Sequence, residues 1–250
     1  MKAIILAAGR GSRMKEKTAV LPKCLTNLWG KTLLEWQIKA IRDAGIEEIG
    51  IVTGYRAEEI RKRQPDLHYF HNEAWAETNM VATMMEADEW LSSFDCIISY
   101  SDIIYTRKAI SLLMDAKDDI AITYYINFLD LWKGRFENPL DDIETFKIDV
   151  DNCITEIGQK AKSLDEIEGQ YMGLLKFSPK GYKIIREQNE KDMPKPIAKM
   201  DMTGLFSYLL SKGIKMRAVA YDELWLEMDS QNDLALYETW DEGKFNVLMQ

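Results

Sequence analysis

At 250 residues, with 46% hydrophobic and 29% charged positions, the chain has the composition of a soluble globular protein and the length to bury one full core. Its formal net charge of −9 argues against a general nucleic-acid binder or a protein that coats anionic membranes, since either needs a basic face. The apolar stretch ahead of Gly9 is too short for a signal peptide or a membrane span, and Cys24, Cys96 and Cys153 show neither zinc spacing nor a disulfide framework, so a reducing cytoplasm is expected.

Strand-like and helix-like stretches alternate through the first half. Lys2 to Ala8 is a continuous apolar run, hence a buried strand, and it ends at Gly9 and Gly11. Leu33, Leu34, Ile38 and Ile41 recur at helical spacing before Gly45. Ile46 to Thr53 predicts a second strand closing at Gly54, Leu67 to Phe70 a third, Met80 to Leu91 a helix, and Phe94 to Tyr100 a fourth strand. A helix over Lys108 to Ala116 and a fifth strand over Ile120 to Ile126 follow. His68 and His71, three apart on a strand, point to opposite faces and make no metal pair. The alternation predicts an α/β fold, a mainly parallel sheet with helices on both faces.

After Asn127 the rhythm changes. Residues 128–144 mix aromatics, charges, Gly and Pro without periodicity, which predicts a functional insertion or lid. Thr145 to Val150 and Cys153 to Ile157 read as a hairpin about Asp151-Asn152. Gln170 to Phe177 is a further strand, and Ser178-Pro179 opens a helix toward Glu190. Lys191 to Pro196 is a linker, Met200 to Leu210 a helix, Lys215 to Tyr221 a late strand, and a last helix follows Asp229. One domain over 1–250 is expected, built from halves 1–126 and 127–250.

The glycine loop carries the chemistry. A buried strand that runs into Gly9-Arg10-Gly11-Ser12-Arg13-Met14 leaves backbone N–H groups free to face an anion, with no side chain at the glycines in the way. Arg13 adds a planar fork and Lys23, after Pro22, a point charge. On an acidic chain, the cluster Arg10, Arg13, Lys15, Lys17 and Lys23 suits a small anion better than a polymer. The loop is not a dinucleotide fingerprint, because Met14 stands where the third glycine belongs. Nor is it a P-loop, because Gly11 is followed by Ser12.

Leu6-Ala7-Ala8-Gly9-Arg10-Gly11-Ser12-Arg13-Met14 with Pro22-Lys23 resembles the signature L-A-A-G-x-G-x-R-M…P-K of the nucleotidyltransferases that activate phosphorylated sugars and alcohols. The resemblance implies a Rossmann-like, GT-A-like mixed sheet, with 1–126 as the nucleotide-binding half and 127–250 as the acceptor half. It implies that Leu6, Ala8, Gly9, Arg10, Gly11 and Ser12 wrap an NTP's phosphates. Arg13 and Lys23 then neutralise charge during attack at the α-phosphorus. It also implies Mg²⁺, held by Asp102 after the fourth strand and by Glu227 and Asp229 near the end of the chain. A plain loop aspartate at Asp102 and a helix cap at Asp229 are the competing accounts. Gly54-Tyr55, Thr78-Asn79 and Ser101 would face the nucleotide, with Asn79 also readable as a helix cap. Many sugar-specific members carry Gly-Asp where this chain has Ser101-Asp102, which argues against a hexose acceptor.

In length the chain is similar to the compact CTP-using branch. There the expected acceptor is a small zwitterionic phosphate or phosphonate: phosphocholine, 2-aminoethylphosphonate or a phospho-amino acid such as phosphoglutamine. Such activation serves decoration of cell-surface polysaccharide or lipid. Tyr125, Trp132, Tyr171 and Trp225 are candidate ring faces for a cationic head group, with Glu168 for charge. Lys133 and Arg135 are candidates for the acceptor's phosphate or a carboxylate. CTP and this acceptor are the expected partners, and a homodimer stays open. The rival readings are a hexose-1-phosphate nucleotidyltransferase using UTP, dTTP or GTP, and a non-catalytic nucleotide-binding subunit.

Overall fold

Lys2–Ala7 is buried along its whole length, as its uninterrupted apolar sequence requires of a strand covered on both faces. The computed structural model describes residues 1–11 and 21–249. In it this strand belongs to a seven-stranded sheet with the spatial order Arg217–Tyr221, Ile120–Tyr125, Gln170–Phe177, Cys96–Tyr100, Lys2–Ala7, Ile49–Thr53 and His68–His71. Six strands run one way, and Gln170–Phe177 runs against both its neighbours. The α/β class and the mixed, mainly parallel sheet agree with expectation.

Side chains of the first strand divide with period two. Ala3, Ile5 and Ala7 join the apolar core beneath the helices Leu33–Asp43 and Arg107–Asp115, whereas Ile4 and Leu6 join the core beneath Met80–Met85 and Met202–Ser211. Ala7 pairs with Thr53 and Leu6 with Tyr100, so three carboxyl ends finish together. That register sets Gly9, Gly54 and Asp102 along one rim, where open α/β sheets bind ligands.

The structure departs from the sequence reading at several elements. The expected helix 80–91 is two short ones, Met80–Met85 and Asp88–Leu91, broken where Ala87 leaves helical geometry at ψ 27°. The third strand is His68–His71. Residues 128–144 are no aperiodic lid: Phe128–Arg135 is an α-helix that buries Phe128, Leu131 and Trp132, followed by the 3-10 turn Pro139–Asp141. Those three apolar residues have i, i+3, i+4 spacing, but eight residues are too few for the pattern to stand out from the surrounding charges. The hairpin pairs Glu144–Ile148 with Ile154–Lys160, and Asn152 takes a left-handed φ of 56° in the turn. No described helix is long and apolar enough to cross a membrane.

One small ladder was not expected and matters most. Ile103–Tyr105 pairs antiparallel with Trp225–Glu227, Glu227 lying opposite Ile103, and the Met228 amide donates to the Asp102 carbonyl at 2.8 Å. Residues more than a hundred positions apart are thereby locked side by side. Leu226, opposite Ile104 and 1% exposed, is the apolar pin of the ladder. Leu226→Ala is expected to cost about 2–5 kcal/mol, from lost burial plus the cavity left behind. A urea midpoint that does not move would show that the ladder is held by something else.

Candidate active site

Two pockets open on the sheet's carboxyl rim and share Asn79 and Met80. The first is lined by Leu6, Ala8, Gly9, Gly11, Lys23, Thr78, Asn79, Ser101 and Asp102. Trp75, Met80 and Thr83, which the sequence reading missed, complete it. Trp132, Tyr171, Glu227 and Asp229 line the second pocket, with Asp142, Glu144, Gln170 and Asp201, also missed. Ser12 and Arg13, like Lys15 and Lys17, lie outside the described residues.

Lys23 joins the two. It follows Pro22 in the single turn Lys23–Leu25 and is 8% exposed. Its Nζ donates to Asp102 Oδ2 at 2.6 Å and to Asp229 Oδ1 at 2.8 Å. Burial alone would lower the ammonium's pKa, but the two carboxylates outweigh it and the net shift is upward. Gly11 makes room for this side chain. At φ +68° a Cβ there would stand 2.8 Å from Lys23 Cβ and 2.9 Å from Cδ.

The two aspartates come from different ends of the chain. Asp102 follows Cys96–Tyr100, and the ladder through Met228 brings Asp229 beside it. The cap of the helix Gln231–Glu238 is Ser230, in a reciprocal capping box with Asp233, so the Asp229 carboxylate faces Lys23 instead. Its other oxygen, Oδ2, lies 3.6 Å from Arg135 Nη2.

Arg135 is an interior clamp and not an acceptor contact. Its side chain is 0% exposed, with Nη1 at 2.9 Å from Glu227 Oε2 and Nε at 2.9 Å from Asp233 Oδ1. It lies 4.8 Å over the Trp132 ring and 5.2 Å over Phe136. Glu227, expected among the metal ligands, is therefore taken by a guanidinium. Burial and the Asp229 carboxylate push the Glu227 carboxyl up, to about 8, while Arg135 pulls the other way.

Other expected residues serve as scaffold. Gly54 packs under Trp75, where a Cβ would stand 2.5 Å from Trp75 Cβ and 2.8 Å from the Ala8 carbonyl oxygen. The Tyr55 amide donates to that same carbonyl at 2.9 Å, and its ring meets the Trp75 ring edge-on at 5.3 Å. Arg10 is exposed, 5.8 Å from the Tyr55 ring, and does not line the pocket. Asn79 caps Met80–Met85 by accepting from the Met80 amide, as the competing account had it, while still lining both pockets. Thr78 Oγ1 donates to the Ala74 carbonyl and accepts from Asn72.

Of the four candidate rings, only Trp132 and Tyr171 reach the second pocket. Trp225 is 1% exposed and stacked on Trp132 at 5.8 Å, and Tyr125 packs on Trp225 at 5.5 Å, so both belong to the core. Glu168 is exposed, accepts from the Ile148 amide at 2.5 Å, and ties down the hairpin. Lys133 is exposed on its helix and lines neither pocket.

Among the described residues no group of three or more His, Cys, Asp or Glu is arranged to hold a metal ion. The aspartate pair alone still fits Mg²⁺. Both carboxylates converge on one positively charged point, the donors are oxygens, and Mg²⁺ is commonly bound by one or two carboxylates with substrate phosphates and water for the rest.

A glycine loop, a cation and paired carboxylates on the carboxyl rim of this sheet define a phosphate-handling enzyme of the nucleotidyltransferase class. Residues 3–137 match the model of the MobA-like NTP transferase domain, and the chain belongs to that family. It is 37% identical to the CTP:phosphoglutamine cytidylyltransferase of Campylobacter jejuni, across 94% of this chain and 98% of the relative. It is 36% identical to the choline-phosphate cytidylyltransferase of Haemophilus influenzae across 43% of this chain and 46% of that protein. The inositol-1-phosphate CTP transferase from T. maritima shares the fold, with a TM-score of 0.76 at 17% identity over 99% of this chain and 94% of that one.

The buried clamp makes a stability prediction. Arg135→Met leaves Glu227, Asp229 and Asp233 without their shared cation, and unfolding free energy should fall by about 3–5 kcal/mol. Denaturant titration at neutral pH checks this; a loss below about 1 kcal/mol, the size of a surface pair, would show the clamp to be dispensable.

Proposed function

We propose that the protein transfers CMP from CTP to a small phosphorylated acceptor that carries an ammonium group, with phosphoglutamine foremost, and releases pyrophosphate. The observation that carries this reading is the Lys23–Asp102–Asp229 node, set where a glycine-lined pocket meets a carboxylate-lined one. The relative that matches nearly the whole chain supports the choice of CTP and phosphoglutamine. Activation of this kind supplies a group for cell-surface decoration.

In the nucleotide pocket, the backbone at Gly9 and Gly11 faces the phosphates, and Trp75 offers an aromatic plane to the base. Asp102 and Asp229 would hold Mg²⁺, which supplies positive charge to the phosphate oxygens. Lys23, a point charge on a flexible stem, reaches the α-phosphoryl oxygens as charge builds there. Arg13 is assigned to the departing pyrophosphate. The acceptor's phosphate oxygen is already an anion near neutral pH, so the chain needs no general base, and positioning with electrostatics does the catalysis.

In the acceptor pocket, Glu144 has most to gain from a cation. Burial pushes its carboxyl up, Thr203 pulls it down, and Asp201 and Asp142 push it up again. Asp201 already caps Met202–Ser211 and pairs with Lys195 at 2.9 Å, which leaves Glu144 as the main seat for an ammonium. Among the polar atoms of these lining residues, Gln170 Oε1 and Trp132 Nε1 have no hydrogen-bond partner among the described residues and are closed off from solvent.

A pyrophosphate-release screen of four NTPs against phosphoglutamine, phosphocholine, 2-aminoethylphosphonate and glucose 1-phosphate tests the proposal. Release is expected with CTP and an amine-bearing acceptor, and to stop in EDTA and return with Mg²⁺. Release only with a hexose phosphate, or none at all, would favour the two rival readings. Lys23→Ala should lower kcat by roughly 10²–10³-fold, as loss of a transition-state donor does. Glu144→Gln should raise KM for the acceptor and leave KM for CTP in place; an unchanged acceptor KM would remove Glu144 from recognition.

A further inference from the structure

We infer that Lys23 and the divalent cation compete for the same two carboxylates, so that the metal enters only once a nucleotide's phosphates have drawn the ammonium away. The inference rests on Asp102 and Asp229 being the metal ligands, as proposed above.

The two aspartates converge on one point, and the Lys23 ammonium occupies it. Its Nζ is within hydrogen-bond distance of both, at 2.6 Å and 2.8 Å, and the contact with Asp229 is buried. From behind, Arg135 adds a second positive charge 3.6 Å from the other Asp229 oxygen. Lys23 and Arg135 together offset much of the negative charge of Asp102, Asp229, Glu227 and Asp233, which weakens the pull on Mg²⁺, an ion that dehydrates reluctantly. A bare carboxylate pair would attract it strongly.

Lys23 is also the cation that can leave. Arg135 is held by three carboxylates and sealed between Trp132 and Phe136, whereas Lys23 ends in a compact ammonium on four rotatable bonds. Its stem runs past Gly11, which lines the nucleotide pocket. A triphosphate arriving there offers Nζ an alternative anion on the same side of the pocket. Transfer of the ammonium to phosphate oxygens frees the aspartates just as a phosphate-bound metal needs them. Catalysis then has both cations where charge develops, and the free protein has no metal to lose.

Mn²⁺ binding to nucleotide-free protein, read by electron paramagnetic resonance, tests the competition without any turnover. Wild type is expected to bind weakly, and Lys23→Met, which keeps the stem's bulk and removes its charge, at least about tenfold more tightly. The gain should vanish in the double variant Lys23→Met/Asp229→Asn. Equal tight binding by wild type and Lys23→Met would overturn the competition and leave the metal pair standing. Binding by neither would overturn the metal assignment itself. Should Lys23→Met fail to fold, wild-type Lys23 is its own reporter. Its acylation rate, followed by mass spectrometry, is expected to stay at the metal-free value in millimolar Mg²⁺ without nucleotide. A rise caused by Mg²⁺ alone would overturn the proposed order.

Discussion

The ammonium of Lys23 between Asp102 and Asp229 ties together three stretches of chain that share no local sequence. One follows the glycine loop, one follows the Cys96–Tyr100 strand, and one precedes the last long helix. Without the cation, two carboxylates would face each other in a poorly solvated cleft, a costly arrangement. Without the carboxylates, a lysine with 8% exposure would be driven toward its neutral form. Each charge is tolerated because of the others, and the ladder between Ile103–Tyr105 and Trp225–Glu227 holds them in register.

The same logic explains Arg135. Acidic side chains gather at the end of the ladder, and their mutual repulsion has to be offset. A guanidinium does this better than an ammonium, since its planar fork meets Glu227, Asp229 and Asp233 from one fixed position. The helix Phe128–Arg135 brings it there, and Trp132, one turn earlier, lines the second pocket. One short element therefore both walls the second pocket and braces a carboxylate beside Lys23.

What could be read from the sequence was what local pattern encodes. The apolar run Lys2–Ala8 and the strand–helix alternation gave the sheet, and the glycine signature pointed to the rim on which the pocket opens. Pairing between distant three-residue strands has no periodicity to betray it, so the ladder beside Asp102 stayed hidden, though both aspartates were singled out. Arg135 was noticed but given the wrong partner, because a charge in an apparently irregular stretch reads as exposed. Glu144 and Asp201 had no signal. They lie at the start of a strand and at a helix cap, and only the fold turns them toward one cavity.

The proposed acceptor pocket also bears on why cytidylyltransferase relatives differ in the head group that their names carry. A quaternary ammonium has no N–H to donate and is best held by ring faces. A primary ammonium has three donors and is best held by carboxylates and carbonyls. The sequence offered four rings, but Trp225 stacks on Trp132 within the core and Tyr125 packs at a tilt against Trp225. Around the cavity stand the rings of Tyr100, Trp132 and Tyr171 and a row of oxygen acceptors from Asp142, Glu144, Gln170 and Asp201. A lining rich in oxygen acceptors gains a hydrogen bond for each N–H it meets and none from a methyl group, which is the physical ground for proposing a primary amine over a methylated one.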